Sequence, residues 1–398
     1  MYSSQFCQKF LAKSLPKSLH VKRAKCLTNI VESMQGYSKH ISVNEIGRHL
    51  KRNTNLKHKL KAADRFVGNN KINADIPAIC SGISHFTYRH FKELCVLVDW
   101  SGACQKDMHV LQASVAFKGR SLPIYAEVHH LKDTENATIH NNFLDKLHKI
   151  IPKHIKVTIV TDAGFHRDWF AKVKDIGWEF IGRIYSKYTY KLEDSNNWLP
   201  VKAIKFSRVA QPIKIGKIEL GKTKNPLGCY LYTYKHRLSR KKHKPNKYPD
   251  HEKAFSKYYR SGWVIVSSSN KPARYLISYY KKRMQIEQNF RDIKNQDLGV
   301  GLRRNKSKIQ KRAQVLYFIA MLLIIILWWI GYCGEMIGCH RKYQANTVKS
   351  HRVISFVTLG KLILKHDRKM VIWTHFKEAK KILSENYVGL MNYDPSLS

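Results

Sequence analysis

The chain has 398 residues, with 72 Lys and Arg against 28 Asp and Glu, a formal net charge of +44 before any of its 20 His is counted. That charge excludes a metabolic enzyme of neutral surface, and a composition 43% hydrophobic and 11% aromatic excludes a disordered basic tail. Spread along the whole length, the charge calls for a polyanionic partner, nucleic acid first and an anionic membrane surface as the plainer alternative.

The length suggests roughly two or three domains. The first thirty residues carry Lys and His throughout and lack the apolar stretch of a secretory signal. Residues 1–85 read as a helical, basic DNA-binding domain. VKRAKCLTNIVESMQGY has apolar residues at helical spacing, SVNEIGRHL opens on the cap candidate Ser42 with Glu45 three residues on, and NLKHKLKAADRFVGN follows as another basic helix. Three short helices of this kind suit a helix-turn-helix-like DNA reader, and equally a solvated bundle that merely carries Lys.

Near Cys95 the pattern changes. CVLVDW is an apolar run of the kind buried in a central strand, MHVLQASVAF and SLPIYAEV follow with strand character, and Lys118-Gly119-Arg120 marks the turn between them. The helix NNFLDKLHKII, the strand KVTIVTDAGF, the helix RDWFAKVKDIG and the strand WEFIGRI come next. Three strands followed by helix, strand, helix and strand imply an α/β fold, a mixed sheet covered by helices, over residues 90–334. Within it, residues from about 185 to 270 read as a β-rich insertion, with KYTYKLE, PIKIGKIEL and CYLYTYK as strands and HRLSRKKHKPNKYPDHEK as an exposed basic loop. From Ala273 a helix returns as ARYLISYYKKRMQIEQNFRDIKNQ. Residues 335–398 form a basic, helical C-terminal region.

Between these lies Val315–Cys333, VLYFIAMLLIIILWWIGYC, uncharged and long enough to cross a bilayer. Both flanks are basic, so nothing orients a single span. A helix that is apolar all round also serves as the centre of a large core, and the expectation here is a buried helix and no membrane. Eight cysteines, Cys7, Cys26, Cys80, Cys95, Cys104, Cys229, Cys333 and Cys339, form no CxxC pair. They read as free thiols in a reducing compartment, which places the protein in the cytoplasm with its nucleic acid.

Asp99 ends the first buried-strand run and Asp162 the second, where a side chain projects into the crevice at the sheet edge. Carboxylates from neighbouring strands can share a hard divalent cation such as Mg²⁺. A lone Asp after a strand is more often a cap or turn residue. On the helix after Ala273, Tyr280, Arg283, Glu287 and Lys294 fall within an arc of about 60° at about 100° per residue, an acid among a phenol and two cations. The plainer account is a solvated face with an Arg283–Glu287 pair. Three carboxylates around a mixed sheet in a highly basic protein point to two-metal phosphoryl transfer, with Asp99, Asp162 and Glu287 as catalytic and metal-binding residues. There is no GxxxxGK[ST] loop for a nucleotide cofactor, no GxSxG elbow and no HExxH.

Tyr280-x2-Arg283-x3-Glu287-x6-Lys294 has the spacing of the Y-R-E-K signature of the insertion-sequence-four family of bacterial DDE transposases. VLVDWSG and IVTDAGF resemble that family's two aspartate motifs. The resemblance runs on through RDIKNQDLGVGLR and QANTVKSHRVIS, close to the insertion-sequence-ten branch, and covers most of the chain. It implies a ribonuclease H-like core in which Asp99, Asp162 and Glu287 bind Mg²⁺, with Mn²⁺ as a substitute. It also implies cut-and-paste transposition, in which transposon ends are nicked, closed as hairpins, reopened and joined to target DNA. Tyr280, Arg283 and Lys294 are then expected on DNA phosphates, and Trp263 in SGWVIVSSS on a flipped base, although a strand Trp can equally be core. The implied partners are double-stranded DNA, as terminal inverted repeats and target, and a second copy of the chain in a synaptic homodimer. A catalytically silent, transposase-derived DNA-binding protein is the alternative.

Overall fold

Burying one long apolar helix and covering the faces of the sheet account for most of the architecture. The computed structural model describes residues 2, 5–35, 40–103, 107–117, 119–237, 262–348, 350–370 and 373–392. The chain gathers into two compact units, one of Met1–Lys156 with Met284–Leu390, the other of Val157–Arg283 with Met391–Ser398.

The first unit begins with five helices where three were expected: α1 (Phe6–Ser14), α2 (Val21–Met34), α3 (Val43–His49), α4 (Leu56–Val67) and α5 (Asn70–Tyr88). Ser42 caps α3 as anticipated, its hydroxyl accepting from the N–H of Glu45 at 3.2 Å. α3 and α4 approach so closely that a Cβ on Gly47 would lie 2.8 Å from the Leu60 Cα. The two additional helices were hidden by composition. α1 is only two turns long, and α5 contains Pro77, which normally argues for a break.

An antiparallel sheet follows, in the order β3-β2-β1, from β1 (Glu93–Gly102), β2 (Met108–Val115) and β3 (Leu122–His130). The next helix, α6 (Ala137–Ile150), covers one face. Trp100 Nε1 meets His140 Nε2 at 3.1 Å, Phe143 stacks on Tyr125 at 5.3 Å between centroids, and Lys146 pairs with Glu127 at 2.6 Å. Burial alone would raise the Glu127 carboxyl, but hydrogen bonds from His129, Lys146 and Tyr125 prevail and hold it down at about 2.

The second unit contains β4 (Lys156–Thr161), α7 (Arg167–Asp175), β5 (Glu179–Arg183), β6 (Thr189–Leu192), β7 (Leu199–Pro200), β8 (Ile213–Leu220), β9 (Leu227–Tyr234), β10 (Trp263–Ser267) and α8 (Ala273–Lys281). The strand order is β4-β5-β10-β9-β8-β6-β7, parallel between β4 and β5 and antiparallel thereafter. The β-rich insertion therefore extends a sheet, because β10 pairs directly with β5, Ile265 opposite Arg183. α7 packs on β5 by stacking Phe170 on Phe180 at 4.8 Å. Gly182 leaves room for this, since a Cβ there would lie 2.2 Å from the Phe170 ring. Most of the expected basic loop, from residue 238, lies outside the described residues.

The chain then returns to the first unit with α9 (Met284–Lys294), α10 (Gln310–Met336), α11 (Phe356–His366), α12 (Trp373–Glu385) and α13 (Tyr387–Asn392). α10 contains the apolar run. It is the helix among the described residues long and apolar enough to cross a membrane, and 94% of its most apolar stretch is buried inside the protein. Its first turns lie along β3: Gln310 Nε2 donates to Val128 O at 2.7 Å, Gln314 Nε2 to Ala126 O at 2.9 Å, and Val128 N to Gln314 Oε1 at 2.6 Å. Farther along, α10 and α11 touch backbone to backbone. A Cβ on Gly360 would lie 2.1 Å from Leu327 O, and one on Gly331 2.0 Å from Phe356 O.

The compact units do not follow the segments 1–85, 90–334 and 335–398. Phe6 of α1 packs edge-on against Phe376 of α12 at 5.2 Å, and Phe376 meets Trp329 of α10 at 4.9 Å. Tyr387 of α13 accepts from Cys95 N of β1 at 3.1 Å and donates to Ala116 O at 3.0 Å. Both ends of the chain thus share one core with the sheet. The seven described cysteines are free, and burial pushes the Cys229 thiol up to about 12, which makes it inert.

The Glu127 cluster makes stability depend on acid. Its carboxyl lies below the ordinary 4.5 in the folded state, so its contribution is complete above that pH and is lost as pH falls towards about 2. In thermal melts, Glu127→Gln should be less stable than wild type at pH 6, and the gap should close between pH 5 and 2. A gap constant across that range would show that the charge on Glu127 contributes nothing.

Candidate active site

Asp99 does not end its strand. β1 continues through Trp100, Ser101 and Gly102, paired with Leu111, Val110 and His109, so Asp99 stands inside the ladder opposite Gln112. The apolar signal stops at Val98, but a ladder needs only backbone donors and acceptors, and the polar residues extend it. The side chain of Asp99 therefore leaves a face of the sheet. It is 8% exposed, and its Oδ1 accepts from the N–H of Trp100 at 2.8 Å.

Cross-strand partners point to the same face, so the Asp99 face is also that of Gln112. α9 lies over it. Gln112 Nε2 donates to Asn289 Oδ1 at 2.8 Å, Asn289 Nδ2 to Ser121 O at 3.2 Å, and the Tyr317 hydroxyl of α10 to Gln112 Oε1 at 2.7 Å. Nearby, Phe117 N donates to Gln285 Oε1 at 2.9 Å, and Arg120 Nε to Asp292 Oδ2 at 3.0 Å. Burial raises the Asp292 carboxyl, and Arg120 opposes the rise. Gln285, Asn289 and Asp292 form one stripe of α9 at offsets of four and three, and that stripe is bonded to the sheet.

Glu287 and Lys294 share another stripe, seven residues and about 20° apart. Glu287 is exposed at the surface. Lys294 reaches back to the strand, its Nζ donating to Ser101 Oγ at 2.7 Å. Ser101 is two residues beyond Asp99 and so lies on the same face of β1. One hydrogen bond thus joins the helix stripe of Glu287 to the strand face of Asp99, all within the first unit.

The second unit carries the other expected residues. Asp162 directly follows β4, as anticipated, and its Oδ1 accepts from Gly164 N at 2.8 Å in an Asx turn. Tyr280 and Arg283 do not share a helix with Glu287. α8 ends at Lys281, and Lys282 and Arg283 instead donate three residues back, to Tyr279 O and Tyr280 O at 3.1 and 3.0 Å. These tighter bonds close α8 before α9 begins, so a single 60° arc does not exist. Tyr280 is 1% exposed and Arg283 is buried.

Trp263 is 5% exposed on β10. Its ring meets His236 edge-on at 4.3 Å and Tyr280 at 4.9 Å, and its indole N–H has no acceptor among the described residues. Burial, with Lys281 and Arg183 adding, pushes His236 down to about 4. This aromatic cluster therefore lies in positive potential.

Among the described residues no three His, Cys, Asp or Glu side chains form a group that could hold a metal ion. In donor chemistry the expected ligands suit a hard divalent cation, being carboxylates only. Residues 90–326, more than half of the chain, match the family described as the transposase DDE domain. The chain belongs to that family. Its function is that of a DDE transposase, in a family of nuclease and transferase enzymes that act on DNA and generally use divalent metal. No curated protein matches the chain.

Sequence reasoning missed the polar layer under the DDE-domain helix α9. Its one signal was the recurrence of Gln285, Asn289 and Asp292 at helical spacing. Tyr317→Phe removes the hydroxyl that satisfies buried Gln112 and should cost about 1–3 kcal/mol of stability. A denaturation midpoint equal to wild type would show that the layer is not held through Tyr317.

Proposed function

We propose that the chain is a cut-and-paste transposase of the insertion-sequence-four kind, close to the insertion-sequence-ten branch. It acts on terminal inverted repeats as a homodimer and uses Asp99, Asp162 and Glu287 to hold Mg²⁺, or Mn²⁺ in its place. When bound, the metal would supply Lewis-acid activation for the attacking oxygen and relief of charge on the leaving one. The chain itself contributes position and charge. Lys294, steadied by Ser101, sets a cation between the Asp99 face and the Glu287 stripe, where a scissile phosphate gathers negative charge. Ser101 shares the ammonium without neutralising it. Arg283 and Tyr280, like Lys294, are assigned to DNA phosphates.

The observation that carries the reading is the Lys294–Ser101 bond, which ties the helix that carries Glu287 to the strand that carries Asp99 within one compact unit. The polar layer of Gln112, Asn289 and Tyr317 supports it, because a helix held by directed hydrogen bonds keeps Glu287 at one angle to the sheet. A silent DNA binder would gain nothing from carboxylates that repel the phosphates it binds. Strand cleavage by the wild-type chain separates the two readings.

Asp99→Ala, Asp162→Ala and Glu287→Ala should each abolish nicking of terminal-repeat DNA in Mg²⁺ while leaving binding within a few-fold of wild type. Full nicking by any one of them removes that residue from the site.

Hairpin formation is assigned to Trp263, whose ring must leave Tyr280 and His236 to receive a base. Stacking worth about 1–3 kcal/mol implies that Trp263→Ala slows hairpin closure by roughly fivefold to more than a hundredfold and the first nick far less. Equal loss of both steps, together with a lowered melting temperature, would leave Trp263 a core residue only.

A further inference from the structure

In the first unit, far along the chain from the carboxylates, α12 and the C-terminal end of α5 enclose a groove of about 660 Å³. Its lining is strongly basic: Lys13 from α1, Arg89 and His90 after α5, and Lys377, Lys380 and Lys381 from α12. Glu385 is the one acid among the lining residues. No ion pair among the described residues involves Lys13, Arg89, Lys377, Lys380 or Lys381.

The floor is aromatic and already occupied. Lys380 is buried, donates to Phe86 O, and lies 4.2 Å from the Phe86 ring centroid and 5.5 Å from that of Phe376. Trp373 is 7% exposed and lies under Lys9 at 4.7 Å. These rings support cations and present no free face to a base. Above the floor, Lys13, Arg89, Lys377 and Lys381 are exposed. Lys377 and Lys381 are four residues apart, about 6 Å along one side of the helix.

The cations strain one another. Burial lowers Lys380 to about 8, with Arg89 adding, and burial together with Arg89, Lys380 and His154 lowers His90. A groove that gathers Lys13, Arg89, Lys377, Lys380 and Lys381 around the single carboxylate of Glu385 has positive potential to offer an anion.

We propose that this groove is a second DNA site, which grips the phosphodiester backbone of duplex DNA through Lys13, Arg89, Lys377 and Lys381 without reading its bases. It rests on the reading of the chain as a DNA-acting transposase and extends it. Residues near both ends of the chain build it, so it requires the joined core of α1, α5, α10 and α12 and no isolated fragment would reproduce it. A groove that touches only phosphates adds affinity for any sequence and leaves recognition of the repeat to other residues.

The test uses the full chain with Lys13→Ala, Lys377→Ala and Lys381→Ala combined, all at exposed positions. Its probe is a fluorescent 20-bp duplex of random sequence. Each lost phosphate contact lowers the slope of log affinity against log salt by about one, so the triple variant should be shallower by about two to three. The corresponding Lys→Arg triple should keep the wild-type slope. An unchanged slope in the Ala variant, with an unchanged melting temperature, overturns the proposal. If millimolar mononucleotide displaces the duplex from wild type but not from the Ala variant, the groove holds free nucleotide, and the backbone assignment is overturned as well. Asp99→Ala separates the two readings. Loss of nicking with a wild-type slope leaves the active site standing whatever the groove does, whereas an unchanged Lys variant removes the groove alone.

Discussion

A 27-residue helix with almost no polar face cannot be left in water, and the first unit is organised around that constraint. β3 lies along the start of α10, and α11 packs against it through Gly331 and Gly360. Phe376 of α12 reaches Trp329, and Phe6 of α1 reaches Phe376. Both ends of the chain are drawn onto one apolar axis. The charged residues that would make the termini independent basic modules are left on the outside of a shared core.

The same helix also contributes to the polar chemistry. Tyr317 is fully buried, yet its hydroxyl bonds to Gln112, which bonds to Asn289 on α9. Buried amides of this kind are costly when unpaired and directional when paired. They hold α9 at a defined rotation over the Asp99 face, which sliding apolar contacts alone would not do. The rotation of the helix that carries Glu287 is thus set by amides and a hydroxyl buried beneath it.

Much of this was legible from periodicity. The apolar strand runs and the helices between them follow from hydrophobic pattern, the burial of Val315–Cys333 from that pattern with its basic flanks, and the capping of α3 from Ser42 with Glu45 three residues on. The failures share a cause: they lie where backbone hydrogen bonding continues or stops without a change in side-chain polarity. β1 runs on through Ser101 and Gly102 because its partner strand offers a ladder. α8 stops at Lys281 without Gly or Pro, because Lys282 and Arg283 donate three residues back. The union of the N- and C-terminal helices was hidden for another reason, since contacts between Phe6 and Phe376 leave no local trace. Of the site, the residue types were visible, and the supporting layer of Gln112, Asn289 and Tyr317 was not.

The two glutamines at the start of α10 have a further effect. By bonding to Ala126 O and to both the N–H and C=O of Val128, Gln310 and Gln314 occupy the outer backbone groups of β3, much as a neighbouring strand would. An open edge is where sheets recruit foreign strands and begin to aggregate. Here the recruiting groups are spent on a helix of the same chain, so the sheet is closed on that side to lengthening by another molecule. A second molecule that approaches this edge therefore meets side chains and a helix, and any association there stays reversible in a way that a shared sheet would not.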